Sequence, residues 1–96
     1  MMIIQEHEFL ERVRIDRQTL QVWVKEEWIL PKENAEGWLF TDLDLARANL
    51  IMDLRENMGV NDAGLDVILH LIDQMHGLRR AMSDLLVPKG KDPRPE

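Results

Sequence analysis

Three histidines, His7, His70 and His76, and 18 acidic side chains are the groups in this chain whose chemistry could hold a metal or move a proton. His70 and His76 stand six positions apart on what reads as one helix, whereas two imidazoles share a metal from one face when they stand at i and i+4. Glu6, His7 and Glu8 are consecutive, and consecutive helical residues do not face one another, so a solvated surface accounts for them better than a chelating site. The carboxylates are spread along helix surfaces, and no pair is set apart to divide acid and base roles. Cysteine is absent, which removes disulfides, thiolate metal sites and thiol nucleophiles together and agrees with a reducing compartment. Gly37, Gly59, Gly64, Gly77 and Gly90 are isolated, so there is no glycine-rich phosphate loop, and no G-x-S-x-G nucleophile motif occurs. An enzyme has no positive support; neither a cofactor nor a metal is expected.

Most of these carboxylates read as solvated helix faces, and it is the net charge that bears on binding. The formal charge is −6, and an acidic surface repels the phosphates that Lys and Arg neutralise in nucleic-acid complexes. A basic protein is therefore the expected partner, with nucleic acid the poorer fit. No apolar stretch approaches the roughly 20 residues of a membrane span, and the start MMIIQEHEFLE lacks the regions of a signal peptide. The expected location is the cytoplasm, with no membrane partner.

The elements that must position these groups are short. The 96 residues, 45% apolar and 31% charged, suit one mainly α domain over residues 1–86. Gln5 to Val13 places Phe9, Leu10 and Val13 on one face of a first helix. Asp16 is a good N-cap for a second helix, Arg17 to about Glu27, in which Leu20, Trp23 and Val24 recur at helical spacing. The tight connection Arg14 to Asp16 is that of a helix-turn-helix. Trp28-Ile29-Leu30-Pro31 and Trp38-Leu39-Phe40 flank the polar stretch Lys32 to Gly37 and read as a small β-hairpin, or wing. Thr41 with Asp44 resembles a capping box opening a third helix that stops near Gly59, and Asn61 or Asp62 caps a long last helix running to about Leu86. The closing VPKGKDPRPE, residues 87–96, has little to bury and is expected to be a disordered tail.

Trp23, Trp28 and Trp38 are expected to fill the core, and methionines at helical spacing are ordinarily gap-filling. The last helix overhangs so small a core, which leaves its apolar stripe from Met75 onward for a homodimer seam: Met75, Arg79, Met82 and Leu86 are its candidate residues. Arg79 and Arg80 also complement the dipole near the helix C-terminus.

Helix, tight turn, helix, aromatic hairpin and further helices form the layout of the MerR-type winged helix. The run Thr19-Leu20 through Ile29-Leu30-Pro31 to Trp38-Leu39-Phe40 and Asp44 resembles it over roughly the first half of the chain. Against DNA-binding members of that group, Arg17 to Glu27 balances two basic residues with two acidic ones, and the wing has Leu39 where those regulators place Arg. A closer similarity, spanning nearly residues 4–86, is to the chaperone modulators of the CbpM family, through Trp38-Leu39-Phe40, Leu54-Arg55, Gly64, Ile68, Leu71, Ile72 and Asp73. That resemblance implies a protein that binds the J-domain of a DnaJ/CbpA-type co-chaperone and inhibits its cooperation with DnaK. The acidic residues Glu26, Glu27, Asp42 and Asp44 would then face the J-domain, with Asp66 and Asp73 on the last helix as rivals. The competing expectation is a MerR-like DNA-binding transcription regulator, a dimer presenting two recognition helices.

Overall fold

A computed structural model describes residues 2–86, so the tail expected over residues 87–96 lies outside the described residues. The elements are β1 (Ile3–Gln5), α1 (Glu6–Val13), α2 (Arg17–Lys25), β2 (Lys32–Asn34), β3 (Gly37–Thr41), α3 (Asp42–Glu56) and α4 (Asp62–Leu86). Two compact units are distinguished, one ending at Asp66 and the other starting at Val67. The mainly helical winged layout with a long last helix is the one the sequence implies. No helix among the described residues is long and apolar enough to cross a membrane.

Helix ends are set by local hydrogen bonding. α1 stops where Arg14 adopts a left-handed conformation, φ 66°, and the amides of Arg14 and Ile15 both return to the Leu10 carbonyl, at 2.8 and 3.2 Å. Two residues later Asp16 starts α2 by accepting the Thr19 amide at 2.8 Å. The tight connection expected over Arg14 to Asp16 is thus closed at both ends by satisfied backbone groups. α2 stops at Lys25, earlier than expected, because Glu27 turns left-handed at φ 64° and the Trp28 amide reaches back to the Trp23 carbonyl at 2.9 Å. At α3 the capping box is complete: the Thr41 hydroxyl accepts the Asp44 amide at 3.2 Å, and the Thr41 amide donates to the Asp44 carboxylate at 2.9 Å.

The hairpin differs from the expectation in its first strand. β2 is Lys32–Asn34, while Trp28 and Ile29 form a bend and are buried. Their apolar character reports burial after the reversal at Glu27, not strand pairing. β2 and β3 pair antiparallel with Asn34 opposite Gly37, and the turn between them is braced by the Glu36 amide donating to Asn34 Oδ1 at 2.9 Å. β1 is a third strand that the sequence reading did not contain; it lies on the other side of β3, with Ile4 opposite Phe40, in the order β1-β3-β2.

The core of the first unit gathers where α1 and α3 lie against this sheet. Phe9 and Phe40 stack with ring centroids 3.9 Å apart and planes 11° from parallel, and Ile4, Leu20, Trp23 and Ile51 are fully enclosed. Trp23 and Trp28 are buried as expected, whereas Trp38 is half-buried on the wing. Replacing Phe9 with Ala removes the stack and leaves a void, so Phe9→Ala is expected to lower unfolding free energy by about 3–5 kcal/mol in urea titrations.

The Asp16 cap has a pH signature. Hydrogen bonds from Thr19, first through its side chain and then through its amide, hold the Asp16 carboxyl below its ordinary value. A depressed folded-state pKa gives stability that is present above the unfolded pKa and is lost as pH falls through the folded one. The stability gap between the natural chain and Asp16→Ala should therefore be full near pH ~7 and shrink in acid, below the ordinary carboxylate range. Urea midpoints measured across that range check it; a gap independent of pH would mean that the ionised carboxylate is not what caps the helix.

Candidate protein-binding groove

Within the first unit, the reversal after α2 and the cap of α4 bring together side chains about 40 positions apart in sequence, Glu26 and Asp66. Asn61 starts α4 by accepting the Gly64 amide on its Oδ1 at 2.8 Å. A Cβ at Gly64 would stand 2.8 Å from Val60 Cγ1, so a larger residue there would need the Val60 side chain to shift. Two residues further, Asp66 Oδ1 accepts the Trp28 indole N–H at 3.0 Å. These constraints leave a cavity of about 260 Å³ lined by Val22, Glu26, Trp28, Asp62, Ala63 and Asp66. An adjoining cavity of about 180 Å³ shares Val22, Trp28 and Asp62 and adds Thr19, Trp23 and Arg55.

The groove is acidic over an apolar base. Val22 is 47% exposed although it is aliphatic, and Trp28 beneath is 4% exposed. Of the carboxylates, Asp62 pairs with Arg55 at 2.9 Å, and Asp66 accepts the Trp28 indole through one oxygen. Glu26 has no ion-pair partner among the described residues. Set against the single guanidinium of Arg55, the carboxylates of Glu26, Asp62 and Asp66 leave the groove with an excess of two negative charges.

Of the sequence-derived candidates, the structure brings Glu26 and Asp66 together and leaves the others apart. Glu27 is exposed at the left-handed turn and does not line the groove. Asp42 is exposed at the start of α3, where its carboxylate accepts the Leu43 amide. Asp44 is half-buried and engaged in the capping box, which gives it a structural role. Asp73 is exposed in the second unit. Asp62 lines the groove as well, although the sequence marks it only as a cap; its i, i+4 spacing from Asp66 is the signal that places both on one helix face.

The helix-turn-helix surface differs in charge from the sequence count. Because α2 ends at Lys25, its own residues include Arg17 and Lys25 but not Glu26 or Glu27. Arg17 is drawn to Glu6, at 3.1 Å, and the two glutamates follow Lys25 directly. On the wing, Lys32 is set against Glu33 and Glu36.

The second unit carries a different pattern. Leu71, Met75, Leu78, Met82 and Leu85 are all exposed on α4 and recur at alternating spacings of four and three, the a/d period of a coiled-coil seam. Met75 and Met82 lie on that seam; Arg79 and Leu86 follow Leu78 and Leu85 at the flanking position.

A family model described as MerR HTH family regulatory protein matches residues 4–86. No curated protein matches the chain, and no solved structure does.

Proposed function

The chain belongs to the MerR helix-turn-helix regulatory family, and from that premise we propose that it is a chaperone modulator, which binds the J-domain of a DnaJ/CbpA-type co-chaperone and inhibits its cooperation with DnaK. The observation that carries this reading is the charge of the winged surface. A DNA-binding protein needs Lys, Arg and helix amides against phosphates on both helix and wing. Here the wing from Lys32 to Thr41 has one Lys against two Glu, a net −1, and of the two basic residues of α2, Arg17 is paired with Glu6 while Lys25 is followed directly by Glu26-Glu27. An acidic module of this kind covers a basic helix on its protein partner through complementary potential. It needs no cofactor and no turnover: occlusion is the mechanism.

Calorimetric titration with the J-domain, at low and moderate salt, tests it. Saturable binding that weakens as salt screens the charges is the expected result. Absence of binding at concentrations on the order of tens of micromolar would overturn it.

A second reading, a DNA-binding transcription regulator, is favoured by the family match and by the exposure of Arg17, Gln18, Gln21 and Lys25 on α2. Duplex binding that falls steeply with salt separates the two.

A second copy of the chain is the proposed occupant of the α4 seam, with Met75 and Met82 at its centre and Arg79 and Leu86 beside it. Five exposed apolar side chains at this period are supported by the coiled-coil rule rather than by any need of the helix itself. Sedimentation of the natural chain as a dimer, and of Met75→Glu with Leu78→Glu as a folded monomer, is expected; a monomeric natural chain at high concentration sinks the seam.

A further inference from the structure

We propose that the groove between α2 and the first turn of α4 is the docking site for a Lys- or Arg-bearing helix of the protein partner. One basic side chain lays its aliphatic stem along Val22 and Ala63 and places its charge between Glu26 and Asp66. The proposal rests on the co-chaperone reading for the identity of the partner, and on the groove alone for its chemistry.

Size and composition decide what kind of occupant fits. The cavity holds about 260 Å³ and adjoins one of about 180 Å³. It suits a single long side chain presented from a larger surface. The base is apolar at Val22, Ala63 and Trp28, while the rim is acidic at Glu26, Asp62 and Asp66. Lysine and arginine match that division, because their methylene stems bury against apolar surface while their heads stay at the polar edge.

Within the rim the carboxylates are not equivalent. Asp62 is already met by Arg55, so an incoming cation finds it largely neutralised. Glu26 is unpaired among the described residues, and Asp66 uses Oδ1 for the Trp28 indole, which leaves its other oxygen for the partner. Beside them Trp23, 1% exposed, lines the adjoining cavity. A helix rather than an isolated cation is the occupant that reaches both cavities, since side chains at i and i+4 lie on one face about one turn apart.

The Trp28 indole N–H supplies the readout, because its acceptor is the carboxylate the cation would share. Two probes are titrated into the full isotope-labelled chain and followed by amide and indole NMR: the J-domain, and separately a synthetic amphipathic helix with a Lys face and a Leu face. The expected result is that both shift the Trp28 indole and the amides of Val22 and Ala63. Glu26→Lys combined with Asp66→Asn, which keeps an oxygen for Trp28, should weaken binding at least about tenfold. Glu27→Lys combined with Asp42→Lys makes a larger charge change, four units against three, outside the groove lining and should nonetheless alter affinity less than about threefold. Equal weakening by both pairs, or shifts that map elsewhere, overturns the groove while leaving J-domain binding intact. If the J-domain fails to bind but the Lys/Leu helix shifts the groove, the co-chaperone reading falls and the docking site stands. If neither probe binds, the docking site falls too.

Discussion

Trp28 ties together parts of the first unit that are otherwise separate. Its amide closes α2 by returning to Trp23, its carbonyl accepts the Arg47 side chain from α3, and its indole N–H donates to Asp66 on α4. A buried tryptophan must find an acceptor or leave a donor unsatisfied at a cost of about 1–3 kcal/mol. Meeting that requirement at Trp28 holds α2 and the first turn of α4 on either side of one groove. The left-handed turn at Glu27 is what delivers Trp28 to this place. A residue with a side chain pays about 1–2 kcal/mol there, and the burial of a large aromatic ring offsets it.

Much of this architecture is legible in the sequence because it is written in local chemistry. Asp16, Thr41 with Asp44, and Asn61 are capping residues whose partners lie within three positions, so spacing alone identifies them. The first wing strand was misplaced because apolar character does not distinguish a strand from a buried bend: Trp28 and Ile29 turn into the core, and the pairing falls to the polar run Lys32–Asn34. β1 was missed for a related reason. Three residues before a helix carry too little periodicity to show that Ile4 pairs with Phe40.

The candidate site was legible only in part. Net charge pointed only to an acidic surface, and it is the family resemblance that puts Glu26 and Asp66 among the candidate residues. Their meeting depends on the left-handed turn at Glu27, a conformation that a non-glycine residue does not announce, and on the Trp28–Asp66 hydrogen bond across 38 positions. Asp44 shows the converse: a carboxylate that counts toward net charge can be committed to a helix start, and so be less available to a partner. Charge balance read over a helix also shifts with where the helix ends. Arg17 and Lys25 belong to α2, whereas Glu26 and Glu27 belong to the turn.

Glu26 occupies the C-cap of α2, where unsatisfied carbonyls already concentrate partial negative charge and a cation would be the favourable neighbour. Lys25 answers that field from the preceding position, yet the carboxylate next to it works against the helix. The Glu26 carboxylate is thus set at the less favourable end of a helix for an anion. Any cation settling beside Glu26 meets both the side chain and the helix terminus, so occupancy relieves a repulsion as well as adding an attraction. Under the proposed docking, a cation bound there would stabilise the folded chain in step with its occupancy, so the helix end would report binding as added resistance to unfolding.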